Sequence, residues 1–168
     1  DKYTPDTTKV HEVTIANNTD NEVLTNAPVK NVPKGRFYIE KQEVWGDSTS
    51  FPQSMVFGIY KNQSCELKDL VGTVQTDATG KAISPYLDAG TYWVKESLSP
   101  AQIKVYGEPE AKEVTVIAGQ NHEDAFDVTA STPDGSESNP LKFENHPRKS
   151  KIQITKVDQK DNSILLND

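Results

Sequence analysis

Residues 90–96 constrain the fold most strongly, because they place a carboxylate in a row of apolar side chains. Side chains alternate between the two faces of a β-strand, so Tyr92, Val94 and Glu96 share one face. If that face packs on a core, Glu96 points into an apolar interior. An unpaired buried charge costs several kcal/mol or changes its protonation state, so this stretch predicts a polar partner for Glu96 inside the fold.

Two other predicted strands carry a polar residue in the same way. Lys41 continues the apolar row of residues 37–41, and Asn145 continues the apolar row of residues 141–145. Since each group alone would be costly to bury, we expect both to meet Glu96. A desolvated lysine loses its proton and becomes a nucleophile, and a buried, protonated glutamic acid can donate a hydrogen bond to an amide carbonyl.

The predicted chemistry is attack of the Lys41 amine on the Asn145 side-chain amide, with Glu96 polarising the carbonyl and shuttling protons. The product is a Lys–Asn isopeptide cross-link, and ammonia is released. Because this is a single turnover on the chain's own side chains, we do not expect an enzyme, and the chemistry needs no cofactor. The competing interpretations are an unreacted buried Lys41/Glu96 pair and, for Glu96 alone, a surface carboxylate on an edge strand.

Length and composition limit the classes of protein and partner. The 168 residues suffice for one good-sized domain, or for one domain plus pieces of others. A net charge of −7 with interspersed signs argues against nucleic acid, and no apolar run approaches membrane-spanning length. Neither end carries a signal peptide, a wall-sorting motif or a lipidation signal, so we expect a slice of a longer protein.

The pattern of short apolar segments and turns predicts an all-β sandwich. No window shows a convincing helical period, and Val, Ile, Thr and aromatic residues are typical of the segments between turns. The predicted strands are residues 9–16, 22–26, 36–45, 54–61, 69–75, 81–86, 90–96, 102–106, 113–117, 126–130, 141–145 and 151–157.

An internal repeat is visible in the order strand, Asn-x-Pro, linker, strand with lysine, which occurs twice. Asn26 corresponds to Asn145, and Lys156 corresponds to Lys41. Asn26 and Lys156 are therefore predicted cross-link positions of incomplete neighbouring domains, each without its own acid in this chain.

The repeat also predicts the domain boundaries. Residues 1–34 are interpreted as the closing strands of a preceding domain plus a linker. Residues 35–148 form one complete domain, and residues 149–168 are the opening strand of a following domain. Neither end piece can enclose a core by itself, and both could lie as extra edge strands on the central domain.

These residues resemble the collagen-adhesin B-type (Cna B-type) domain of Gram-positive surface adhesins and pilins. Residues 92–100 read Tyr-x-Val-x-Glu-Ser-x-Ser-Pro and are similar to the E-box of that family. Further markers of the family occur in the expected order at residues 57–61, 72–81 and 89–92. The resemblance covers residues 35–148, and it implies that the bond-forming lysine, acid and acceptor fall on Lys41, Glu96 and Asn145.

The resemblance implies a prealbumin-like, inverse-immunoglobulin β-sandwich flanked by strands of neighbouring repeats. It further implies a structural stalk module of a secreted, wall-anchored adhesin or pilus on a Gram-positive surface. The expected partners are neighbouring repeats and a host extracellular-matrix protein. Because a pilin Tyr-Pro-Lys motif is not found, a stalk repeat of an adhesin is favoured over a backbone pilin.

A ligand-binding module is the alternative function. It would hold a host protein or glycan through surface loops and the aromatic side chains of Trp45 and Trp93, which we expect to be exposed. Cys65 lies in a polar, turn-like stretch and is interpreted as a solvated cysteine. No metal site is expected, because the histidines do not show metal-binding spacing. These histidines are His11, His122 and His146.

Overall fold

The computed structural model describes residues 2–5, 31–123 and 134–148, and strands predominate in these ranges. The strands described there are β1 (Tyr3–Thr4), β2 (Val32–Pro33), β3 (Tyr38–Trp45), β4 (Ser48–Ser50), β5 (Val56–Tyr60), β6 (Leu70–Gln75), β7 (Lys81–Ile83), β8 (Gly90–Glu96), β9 (Lys112–Val116) and β10 (Leu141–Asn145). The helix α1 spans Pro100–Tyr106, and a short 3-10 turn spans Leu67–Asp69. The predicted all-β class is confirmed, with one short helix added to it.

Two sheets provide the framework of the described residues. One contains β10, β3 and β4 in that order, with β7 also paired to β3, and the other has the order β6, β5, β8, β9. β10 runs parallel to β3, whereas the other strand pairs are antiparallel. Apolar side chains from both sheets form one core, which contains Phe37, Ile39, Phe57, Ile59, Ala82, Leu87, Tyr92, Val94, Val114, Val116 and Phe143.

The alternation expected for β8 is present. Tyr92, Val94 and Glu96 are buried, while the residues between them are partly exposed. On β3, Ile39 and Lys41 are likewise buried on one face. Because side chains alternate between the two faces of each strand, one carboxyl group and one amine point into the interior.

The predicted strand at residues 102–106 is wrong, because these residues belong to α1. Ser99 and Gln102 form a capping box, in which the Gln102 backbone N–H donates to Ser99 Oγ and the Ser99 backbone N–H donates to Gln102 Oε1. Pro100 occupies the first turn, where its missing N–H costs nothing. Gly107 ends the helix with a positive φ of 98°. These local signals outweigh the β-propensity of Ile103 and Val105.

We expect Ser99→Ala to lower the free energy of unfolding by about 1 kcal/mol, because the substitution removes one half of the capping box. Denaturant titration of the folded domain measures the change. Ser97→Ala is the matched control, since Ser97 is exposed and precedes the helix. Equal midpoints for the two variants would contradict a capping role for Ser99.

Several predicted features lie outside the described residues. These are the strands at 9–16, 22–26, 126–130 and 151–157, together with the cross-link positions Asn26 and Lys156. Tyr3 and Thr4 are described and pair with Val32 and Pro33, so this stretch of the N-terminal segment contacts the residues that lead into β3. Among the described residues, no helix has both the length and the apolar character needed to cross a bilayer.

Candidate functional site

The candidate site lies between the two sheets. Glu96 ends β8 in one sheet, while Lys41 and Asn145 lie on the adjacent strands β3 and β10 of the other. In the parallel register, Lys41 is opposite Phe143 and Asn145 is opposite Glu43. Lys41 and Asn145 are therefore diagonal neighbours on one face of the sheet.

The Glu96 carboxyl group bridges the amine and the amide. Lys41 Nζ lies 3.4 Å from Glu96 Oε2, and Asn145 Nδ2 donates a hydrogen bond of 3.4 Å to Glu96 Oε1. Lys41 Nζ also donates to the backbone oxygen of Gln42 at 3.2 Å. The structure thus brings together the three side chains that the strand phase singled out.

Burial governs the charge state of this cluster. Lys41 is fully buried and Glu96 is 3% exposed, whereas Asn145 is partly exposed. Desolvation lowers the pKa of Lys41, although the Glu96 charge opposes this shift. Desolvation raises the pKa of Glu96, opposed by the Lys41 charge and by the Asn145 hydrogen bond. Both shifts favour a neutral amine beside a protonated acid.

Aromatic side chains close one side of the site. Phe57 pairs with Glu96 across β5 and β8, and its ring packs on Phe143 with the centroids 4.8 Å apart. Both rings are buried and Lys41 itself is fully buried, so the amine lies in apolar surroundings away from water. The low local polarity strengthens the electrostatic interactions within the cluster.

A cavity of about 540 Å³ also borders the site, and Phe143 lies in its wall. Glu96 and Asn145 lie in its wall, together with Tyr106 from α1 and Lys112 from β9. Lys41 is not part of the wall. The amide and the acid can therefore be reached from the cavity, while the amine stays behind them.

Sequence reasoning missed three charged or polar neighbours of the cluster, which are Glu43, Tyr106 and Lys112. The Glu43 charge raises the proton affinity of both Lys41 and Glu96, and the Lys112 charge lowers that of Lys41. The spacing of two residues between Lys41 and Glu43 could have revealed Glu43. Lys112 and Tyr106 approach through tertiary packing, for which the sequence gives no comparable signal.

The other residues singled out in the sequence lie apart from this cluster or do not form a site. Trp45 is 51% exposed, but Trp93 is only partly exposed and lies on the other sheet. Cys65 is partly buried rather than fully solvated, and burial raises the pKa of its thiol. His122 is buried and His146 is exposed.

Metal chemistry has no candidate site in the described ranges. Three or more His, Cys, Asp or Glu side chains do not come together there in a group that could hold an ion. His11 lies outside the described residues.

Comparison with known proteins gives one family match. Residues 52–132 match the family model described as SpaA, a prealbumin-like fold domain. This range contains β5 to β9, α1 and Glu96, while Lys41 and Asn145 flank it. No curated protein gave a significant match.

Among solved structures, two streptococcal pilins resemble the chain. GBS52, the minor pilin of Streptococcus agalactiae, is 18% identical with a TM-score of 0.48, over 76% of this chain and 50% of that one. The group B streptococcus pilus 2b backbone protein is 17% identical with a TM-score of 0.42, over 77% and 46%. The chain thus spans about half the length of either pilin.

A third solved structure is more distant. It is PA1324 from Pseudomonas aeruginosa, which carries the name "putative carbohydrate binding protein". It is 12% identical with a TM-score of 0.32, over 68% of this chain and 89% of that one.

Proposed function

We propose that this chain is a structural stalk module of a Gram-positive surface adhesin or pilus, and the match of residues 52–132 to the SpaA prealbumin-like domain supports this proposal. An isopeptide bond between Lys41 and Asn145 stabilises the module, and Glu96 promotes its formation. One observation carries this proposal. The Lys41 amine and the Asn145 amide each lie 3.4 Å from a different oxygen of the buried Glu96 carboxyl group.

The reaction begins with the neutral Lys41 amine attacking Cγ of Asn145. A new N–C bond forms, the bond from Cγ to the amide nitrogen breaks, and that nitrogen leaves as ammonia with one proton from the lysine. Glu96 polarises the carbonyl while protonated and relays the lysine proton to the leaving nitrogen. The Asn145 amide nitrogen faces Glu96 Oε1, which supports this relay.

The surroundings favour the forward reaction. Lys41 is fully buried beside the Phe57 and Phe143 pair, and these apolar surroundings favour the neutral amine and limit competing hydrolysis. The cavity beside Asn145 gives the released ammonia a route to solvent. Because each chain reacts once on itself, the domain is not an enzyme.

The cross-link closes a long loop. Asn145 lies 145 − 41 = 104 positions after Lys41. Constraining the unfolded chain over a loop of this length can stabilise the folded state by up to about 4.7 kcal/mol in the chain-entropy model. A stalk gains resistance to unfolding and proteolysis from such a bond.

Intact mass tests the cross-link directly. We expect the full chain to be lighter than its sequence mass by one ammonia, and Glu96→Ala to have the full mass, because the proton relay is removed. Fragmentation of a protease digest should recover one branched peptide that joins Lys41 to Asn145.

Glu144→Ala is the matched control, since Glu144 is exposed on the opposite face of β10 and should leave the mass deficit intact. A wild-type mass equal to the plain sequence sum would contradict the cross-link.

The wider setting follows from the same proposal. The chain is secreted and wall-anchored, residues 35–148 are one complete module, and neighbouring modules contribute residues 1–34 and 149–168. Asn26 and Lys156 serve as cross-link positions of those neighbours in the longer protein. A longer chain that includes one further module at each end should lose one ammonia for every completed triad.

The alternative, a ligand-binding module, has one observation in its favour. Trp45 is half exposed and packs edge-on against Tyr106 with the centroids 6.2 Å apart, so an aromatic surface faces solvent there. Titration with host matrix proteins and glycans, read by tryptophan fluorescence in wild type and in Trp45→Ala, tests this function. Saturable quenching that disappears in the variant would favour a binding module over a passive spacer.

A further inference from the structure

A second carboxylate stands beside the Lys41–Glu96 pair. Glu43 follows Lys41 by two residues on β3, so the two side chains share a face, and its partner across the parallel register is Asn145. Glu43 is partly buried. Glu43 therefore lies next to Lys41 along the strand and next to Asn145 across the sheet.

Tyr106 at the end of α1 lies beside Glu43. The Tyr106 hydroxyl interacts with the Glu43 side chain, and burial followed by the Glu43 charge raises the pKa of Tyr106. The Tyr106 ring is itself fixed edge-on against Trp45. The end of α1 thus brings a partly buried hydroxyl group beside the Glu43 carboxylate.

We propose that Glu43 is a positioning residue that acts through the Lys41–Glu96 pair and sets the pH range in which the pair holds the single proton that cross-linking needs. This inference rests on the proposed function, because it concerns the same reaction. With two protons on the pair, the amine is ammonium and cannot attack. With none, Glu96 cannot act as the acid.

The direction of the effect follows from electrostatics. A negative charge at Glu43 favours protonation of both Lys41 and Glu96, so it moves both limits of the one-proton range to higher pH. Lys112 on β9 acts oppositely on Lys41, while Tyr106 on α1 faces the pair from the cavity. Asn145 and the Phe57 ring, which approach from β10 and β5, carry no charge.

Further charged or titratable side chains line the cavity, and they are the same in wild type and in the Glu43 variants. They are Glu108, Glu110, Lys142, Glu144 and His146.

The test follows the rate of ammonia loss against pH. The chain is kept in denaturant from the start, so that it has not yet folded or reacted, and is then diluted into folding buffers from acidic to alkaline pH. Samples are quenched at intervals, and their intact mass is measured by mass spectrometry. For Glu43→Gln we expect the bell-shaped profile to move as a whole to lower pH by on the order of 1 pH unit. Glu43→Asp keeps the charge and should restore the wild-type profile.

Two further variants separate charge from packing. Glu40→Gln makes the same change on the opposite face of β3, where Glu40 accepts a hydrogen bond from Gln42, and should not move the profile. Tyr106→Phe removes the hydroxyl group beside Glu43 and leaves the Glu43 charge in place, so the profile should move by less than in Glu43→Gln. Glu96→Ala should fold without reacting. Its tryptophan fluorescence at each pH therefore measures folding separately from ammonia loss.

The outcomes distinguish the two proposals. Wild-type chain that folds but loses no ammonia at any pH overturns the proposed cross-link itself. If the wild-type chain reacts with a bell-shaped pH profile and the Glu43→Gln profile superimposes on it, only the role of Glu43 is overturned.

Discussion

Pulled from its two ends, the wild-type chain is expected to extend about 340–370 Å less than an Asn145→Ala variant, since an extended residue spans about 3.3–3.6 Å. The cross-link proposed between Lys41 and Asn145 would carry the load past residues 42–144, which would then stay folded or slack. Single-molecule force spectroscopy, with handles attached at the two ends of the chain, measures the difference. The effect is large because a covalent bond replaces noncovalent contacts as the element that bears tension.

Two variants complete this experiment. Glu96→Ala should extend as far as Asn145→Ala, because both lack the cross-link while their sequence lengths are equal. Glu144→Ala should behave as wild type. Equal extension of wild type and Asn145→Ala would show that no covalent bond shields the domain.

Phe57→Ala is expected to lower the free energy of unfolding by about 3–5 kcal/mol, because it opens a cavity beneath the candidate site. Phe57 is fully buried, packs its ring at a tilt against Phe143 and pairs with Glu96 across β5 and β8. Water entering that cavity would stabilise the charged forms of Lys41 and Glu96, so ammonia loss should also slow. Denaturant titration in an Asn145→Ala background measures stability without interference from the cross-link.

Leu67→Ala provides the matched control for that measurement. Leu67 is 83% exposed in the short turn before β6, so its truncation should change stability by no more than about 0.5 kcal/mol. A similar loss in both variants would contradict the assignment of Phe57 to the core that supports the site.

The alternation of side chains made much of the site predictable. Lys41 and Glu96 are buried as their positions on β3 and β8 require, and β10 spans residues 141–145 as expected. Strand phase gives the face of a side chain. It does not give the sheet on which the strand lies, so the placement of Glu96 opposite the other two residues required the folded structure.

Two features of the structure were not predicted, one that depends on local sequence and one that depends on long-range packing. The helix at Pro100–Tyr106 was predictable, because Ser99, Pro100 and Gln102 form a capping signature. The helix shows no apolar period, since seven residues are too few to display one. The contact between Tyr106 and Glu43 depends on how α1 packs, and no sequence pattern reports that.

The parallel pairing of β3 and β10 has a mechanical consequence. Five consecutive residue pairs join these strands, from Ile39 with Leu141 to Glu43 with Asn145. A pull on the start of β3 and on the end of β10 acts in opposite directions along the strand axis. All rungs of this ladder are then loaded in shear at once, rather than unzipped one after another, so the geometry resists rupture before any covalent bond has formed.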